Sequence, residues 1–191
     1  MLDSDEFELI SFLVAAGFVC RRKCYEIEAG SDMYLGGAGN TELHTSFRGD
    51  PDYEICARIM YVHYFKIHCN VNPWTADYDA FYWRLPDCVI YSNVNGEIIS
   101  VAFVEANEIA YVCSSDLAEF DSFAQSLVTE MLTKFQVLSF ECDDCDCVAM
   151  NLRSFFSNSD DHSFDTYVYS GSDSFESAAF DELKKVKKER K

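Results

Sequence analysis

No stretch of this 191-residue chain approaches the roughly 20 consecutive apolar residues that a membrane-spanning helix needs. Basic charge is scarce as well. Fifteen Lys and Arg stand against 33 Asp and Glu, for a net charge of −18. A phosphate backbone would be repelled by such a surface, so neither a nucleic acid nor a membrane is expected as partner. Six of the fifteen cations crowd into residues 184–191 (KKVKKERK), which reads as a solvated helix end or a loose tail. The opening MLDSDEFELISFL lacks the basic start of a signal peptide, and the expected location is the cytoplasm. An even cysteine set is also missing. Nine cysteines cannot pair completely, and without a secretory signal they read as reduced thiols.

What is present belongs to a folded domain: 49% of the residues are hydrophobic and 15% aromatic. Residues 5–16 place Phe7, Ile10, Leu13 and Val14 on one helical stripe, stopped by Gly17. Residues 18–28 read as a strand with Val19, Tyr25 and Ile27 as its apolar positions. Together they form an N-terminal appendage, 1–35. A glycine-rich linker, 36–49, follows. Asp50-Pro51 opens a helix whose apolar positions are Ile55, Ile59, Val62, Phe65 and Cys69, and Thr75 is expected to cap a second, short one. Asn95-Gly96 signals a hairpin between a strand at 89–91 and one at 98–104, and Asn107-Glu108 a second turn into 109–113. Residues 119–135 carry the clearest helical stripe, with Phe120, Phe123, Leu127, Met131 and Phe135 in line. A strand at 137–141, a short helix at 148–156 and a strand at 166–169 complete a domain over 50–170, leaving a tail at 171–191.

Several side chains carry potential chemistry. Cys142-Asp143-Asp144-Cys145-Asp146-Cys147 offers zinc-type ligands, but a structural zinc site needs a second pair, which His162 could supply only by folding back. These cysteines are read as thiols at a strand end and the turn after it, and no metal site is assigned. His63 and His68 are five residues apart, which does not place them on one helical face for a shared ion. Tyr61, Tyr64, Phe65, Trp74, Tyr78, Phe81, Tyr82 and Trp83 make their region densely aromatic. They either pack on the sheet and partly on a partner, such as the second chain of a homodimer, or wall an acceptor cleft.

The element order from residue 50 onward is helix, helix, hairpin strands, long helix, strand, short helix, strand. It resembles the GNAT family of acyl-CoA-dependent N-acyltransferases. The residues that carry the resemblance are IISVAFVE (98–105), IAYVC (109–113), the helix 120–135, LSFE (138–141) and DCVAMNLRSFF (146–156). GFVCRRKCYEIE (17–28) is similar to a closing segment of the same family, either as the remnant of a duplicated domain or as a strand lent to the neighbouring sheet. The resemblance implies an α/β (α+β) fold, a mixed, mostly antiparallel sheet flanked by helices and splayed between its central strands. It implies acetyl-CoA or another acyl-CoA as cofactor and a small-molecule or peptide amine as acceptor. Glu105 or Glu141 would be the catalytic base. Tyr111, Val112, Cys113, Ser114 and Ser115 would meet the pantetheine arm and its carbonyl, and Arg153 would contact phosphate.

This chain departs from the family at two points. The family's phosphate loop is rich in glycine and carries a basic residue. Here Cys113–Asp121 has neither, and Asp116, Glu119 and Asp121 crowd the helix start, where they would repel a diphosphate. Arg153 also stands where a general-acid tyrosine is common, and a guanidinium cannot readily protonate a thiolate. A fold that has lost its cofactor and acts as a binding module is therefore the second reading.

Overall fold

Alternation along the central hairpin organises the molecule. In the computed structural model, which describes residues 1–157 and 161–169, β4 (Cys88–Val94), β5 (Glu97–Glu105) and β6 (Glu108–Ser114) form an antiparallel meander. Ala102 and Val104 of β5 point into one hydrophobic cluster, and Val101 and Phe103 into another on the opposite face. The turn between β4 and β5 is the expected one, with Asn95 and Gly96 both at positive φ. The next turn centres on Ala106 and Asn107, and Ala106 takes φ 50 without being glycine.

The other strands are β1 (Leu2–Asp3), β2 (Phe18–Gly30), β3 (His44–Phe47), β7 (Val137–Asp143) and β8 (Phe164–Tyr169). All eight join in the order β1-β8-β2-β7-β6-β5-β4-β3. Every pairing is antiparallel except β6 with β7. This is the expected mixed, mostly antiparallel sheet flanked by helices. The strand of the N-terminal appendage lies inside the sheet, between β7 and β8. The 36–49 stretch, expected as a linker, contributes the edge strand β3. The tail 171–191 lies outside the described residues.

On one face pack α4 (Leu117–Lys134) and α5 (Cys147–Ser154). The stripe expected of α4 is the one it buries: Phe120, Phe123, Leu127 and Met131, with Ala124 and Val128 beside them. Residues 39–41 lie against the outer side of this helix. Thr41 donates to Ser126 Oγ at 3.0 Å, and Gly39 comes so close that a Cβ there would sit 2.2 Å from Ser126 N. Gly39 is thus required by backbone approach.

The opposite face carries α2 (Pro51–His68) and α3 (Tyr78–Tyr82), joined through a 3₁₀ turn at Pro73–Ala76. Here the structure differs from expectation. The helix α2 buries Tyr53, Cys56, Ala57, Met60, Tyr61 and Phe65, while Ile55 is 48% exposed. The helix α3 is capped by Asp77 rather than Thr75, through bonds from the Asp79 and Ala80 amides at 2.9 and 3.2 Å. In α1 (Phe7–Ala15), no residue is buried, and Phe7 and Phe12 stand in solvent.

Candidate functional site

The parallel pair β6–β7 is held at two positions, Glu108 to Ser139 and Ile109 to Phe140. Both strands continue, β6 to Ser114 and β7 to Asp143, without pairing further. The register of β6 on β5 also slips here: Val104 faces Ile109 and Phe103 faces Tyr111, so Ala110 is an extra residue in the strand. The strands therefore part just where β6 bulges, and a cavity of about 310 Å³ opens between them. Its walls include Ala110, Tyr111 and Val112 of β6 and Glu141 and Asp143 of β7. A strand edge left without a neighbour presents backbone N–H and C=O groups to whatever enters.

Three carboxylates line the cleft beside that edge: Glu105, Glu108 and Glu141. A shallower cavity shares Glu108 and Glu141 and adds Glu26 and Glu28 of β2. Glu26 sits directly opposite Glu141 in the sheet. The side chain of Glu141 reaches solvent, yet burial of its carboxyl group raises its pKa above the ordinary value. The bond donated by Cys24 Sγ at 3.6 Å opposes that shift, while Glu26, Asp143 and Glu108 add to it. Burial also raises the Tyr111 phenol, with Arg84 opposing and Glu141 and Glu108 reinforcing. The ring of Tyr111 meets that of Tyr64 edge-on, 5.5 Å between centroids.

Two further acids of the cleft are already engaged. Asp143 accepts from Arg22 Nη1 at 3.4 Å and pairs with His68 Nε2, whose Nδ1 lies 3.0 Å from the Tyr64 carbonyl. His68 is 3% exposed. Asp146 caps α5 through the Val148 and Ala149 amides, at 2.9 and 3.2 Å, and lies 3.0 Å from His63 Nε2. The two histidines hold separate partners, as their spacing implies. Together they tie α2 to the segment that leads from β7 into α5. Arg22 was not a candidate from sequence, and His63 and His68 were weighed only as a shared metal pair, because the carboxylates they meet lie 75 to 121 residues away.

The candidates named from sequence divide. Glu105, Glu141, Tyr111 and Val112 line one cavity. Cys113 does not: it is 1% exposed, and burial pushes its thiol well up, so it is a core residue. Ser114 Oγ shares a hydrogen bond with Ser100 Oγ at 2.9 Å and donates to the Asp116 carbonyl at 2.7 Å. The Ser115 amide donates to the Ile99 carbonyl at 3.0 Å. Arg153 lies over the Tyr25 ring, 3.9 Å from its centroid, and pairs with Asp161 at 3.5 Å, away from the cavity lining. Cys142 is buried while Cys145 and Cys147 are exposed, so the three do not converge as ligands.

An acyl-CoA fits this site in part. The open β6 edge suits the amides and acyl carbonyl of its pantetheine arm. The start of α4 does not suit a diphosphate. Asp116 Oδ1 already accepts from the Ala118 and Glu119 amides, at 2.8 and 3.3 Å, and its charge would repel a phosphate brought to that helix start.

No protein-family model matches the sequence, and no curated protein is similar to it. Among solved structures, the chain is similar to a GCN5-related N-acetyltransferase from Sphaerobacter thermophilus, with a TM-score of 0.46 and 10% identity. The match covers 87% of this chain and 56% of that one, so the chain spans little more than half the length of that structure. No helix among the described residues is long and apolar enough to cross a membrane.

Proposed function

We propose that the chain is an N-acyltransferase that moves an acyl group from a thioester to an amine in the cleft between β6 and β7. What carries this reading is the parting of the two strands after Ile109, which leaves a strand edge facing a cavity walled by carboxylates. The amine's nitrogen attacks the acyl carbonyl, the carbon–sulfur bond breaks, and the sulfur leaves as thiolate. Backbone N–H groups near Tyr111 and Val112 polarise the carbonyl. Glu141 takes the proton that the amine loses, directly or through water, and its raised pKa makes it a stronger base than an ordinary carboxylate. Glu105 is the second candidate for that role. The phenol of Tyr111, kept protonated by burial, can return a proton to the thiolate. The carboxylate-lined approach through Glu26, Glu28 and Glu108 favours a cationic acceptor.

One observation favours a second reading, a binding module without catalysis: the self-capped, acidic start of α4. Thiol release from acetyl-CoA and from S-acetyl-pantetheine, each with a panel of primary amines, separates the two. Transfer supports the enzyme if it is faster with the donor that lacks the diphosphate and is lost in Glu141→Gln. A protein that gives no release and no melting shift with either thioester is the module.

A further inference from the structure

At the far edge of the sheet, the N-terminus meets the segment that enters β8. Leu2 and Asp3 pair with Asp165 and Phe164. The Ser4 amide donates to the Ser163 carbonyl at 2.9 Å, and the Ser163 amide returns a bond to Ser4 Oγ at 3.3 Å. The chain then turns, and the Asp5 amide donates to Asp3 Oδ1 at 2.9 Å. His162 Nε2 stands 2.9 Å from that same oxygen, with its ring edge-on to Phe164. Backbone bonds thus hold both segments in place and bring two carboxylates and an imidazole to one point.

We propose that Asp3, Asp5 and His162 form a binding site for a divalent first-row transition-metal ion, of the Zn²⁺ or Mn²⁺ type. One ligand atom from each lies within 4.8 Å of the others. A bound ion holds oxygen and nitrogen ligands at roughly 2.0 to 2.2 Å, so the three side chains must close by about an ångström, and their partial exposure allows it. Imidazole with carboxylates and no thiolate selects a borderline or hard ion, with water completing the shell. The carboxylates repel one another at this range, and a dication between them removes that repulsion. The ion would clip β1 and the start of α1 to β8, where β1 has two pairs of its own.

The test uses the full chain with Cys145 and Cys147 changed to serine, because exposed thiols compete for zinc. Calorimetric titration of the chelator-treated protein with ZnCl₂ and with MnCl₂ should show one saturable site per chain for at least one of the two ions. Affinity for that ion should fall at least tenfold in Asp5→Asn and in His162→Gln. Asp5→Asn removes no side-chain hydrogen bond among the described residues, so its metal-free melting temperature should match the parent's. The ion should raise melting in the parent and not in the variants. Absence of a saturable site for either ion, or equal affinity in both variants, overturns the proposal, because binding would then be absent or spread over the acidic surface.

Discussion

Replacing Asp116 by asparagine isolates the feature that sets the start of α4 apart from an ordinary diphosphate-binding helix start. Asparagine caps a helix about as well as aspartate, so the bonds from the Ala118 and Glu119 amides should survive. The loss of a charge near the helix dipole should cost about 0.3–1 kcal/mol of stability. Binding should move the other way. A phosphate charge about 4 Å from the carboxylate is opposed by about 1 kcal/mol in a water-like medium, and a diphosphate places two there. Relief of about 2 kcal/mol corresponds to a roughly 30-fold gain in affinity, cut toward tenfold at physiological salt, where the screening length is about 8 Å. Calorimetric titration with acetyl-CoA at low and physiological ionic strength reads both effects. S-acetyl-pantetheine serves as the control, since its affinity should not change. If Asp116→Asn and the parent bind acetyl-CoA equally at low salt, the carboxylate does not face the diphosphate and the reasoning fails.

Gly39→Ala should destabilise by about 1–3 kcal/mol, seen as a lower midpoint in urea, because its Cβ would meet the backbone of α4 at 2.2 Å. Ala106→Gly should be neutral or stabilise by up to about 1 kcal/mol, since it removes a left-handed non-glycine residue while adding chain entropy. Phe103→Ala should cost about 3–5 kcal/mol, as the ring is wholly buried and packs edge-on against Tyr53. For Glu141, the folded pKa is raised, so its contribution favours folding below the ordinary carboxyl pKa and is lost as pH climbs through the folded value. Glu141→Gln should therefore gain stability relative to the parent at neutral pH, and the gain should vanish in acid, as denaturation midpoints across pH will show.

Much of the fold was legible because local signals agree with tertiary packing. The α4 stripe and the Asn95-Gly96 turn are fixed by periodicity and by backbone conformation, and both appear as expected. The α2 face was legible in part: Phe65 is buried and Ile59 and Cys69 pack against the same cluster, but aliphatic spacing also singles out the exposed Ile55 and passes over Tyr53, Cys56 and Met60. In α1, periodicity does not reveal that the stripe is covered only in part, with Ile10 and Leu13 half-buried and Phe7 and Val14 exposed. Glu105, Glu141 and Tyr111 could be named because the family resemblance assigns roles to strands that the sequence pattern marks. The Arg22–Asp143, His68–Asp143 and His63–Asp146 ties could not, since each joins elements distant in sequence. That the strand at 18–28 joins the neighbouring sheet was one of two readings of the sequence, but its position between β7 and β8 was not, since it depends on pairing across more than a hundred residues.

Titrating S-acetyl-pantetheine into isotopically labelled protein, and following backbone amides by NMR, addresses the cleft most directly. The largest shifts should fall on Ala110, Tyr111 and Val112, with smaller ones at Glu141. Shifts confined to other surfaces, or none at millimolar thioester, would contradict an acyl-binding edge on β6.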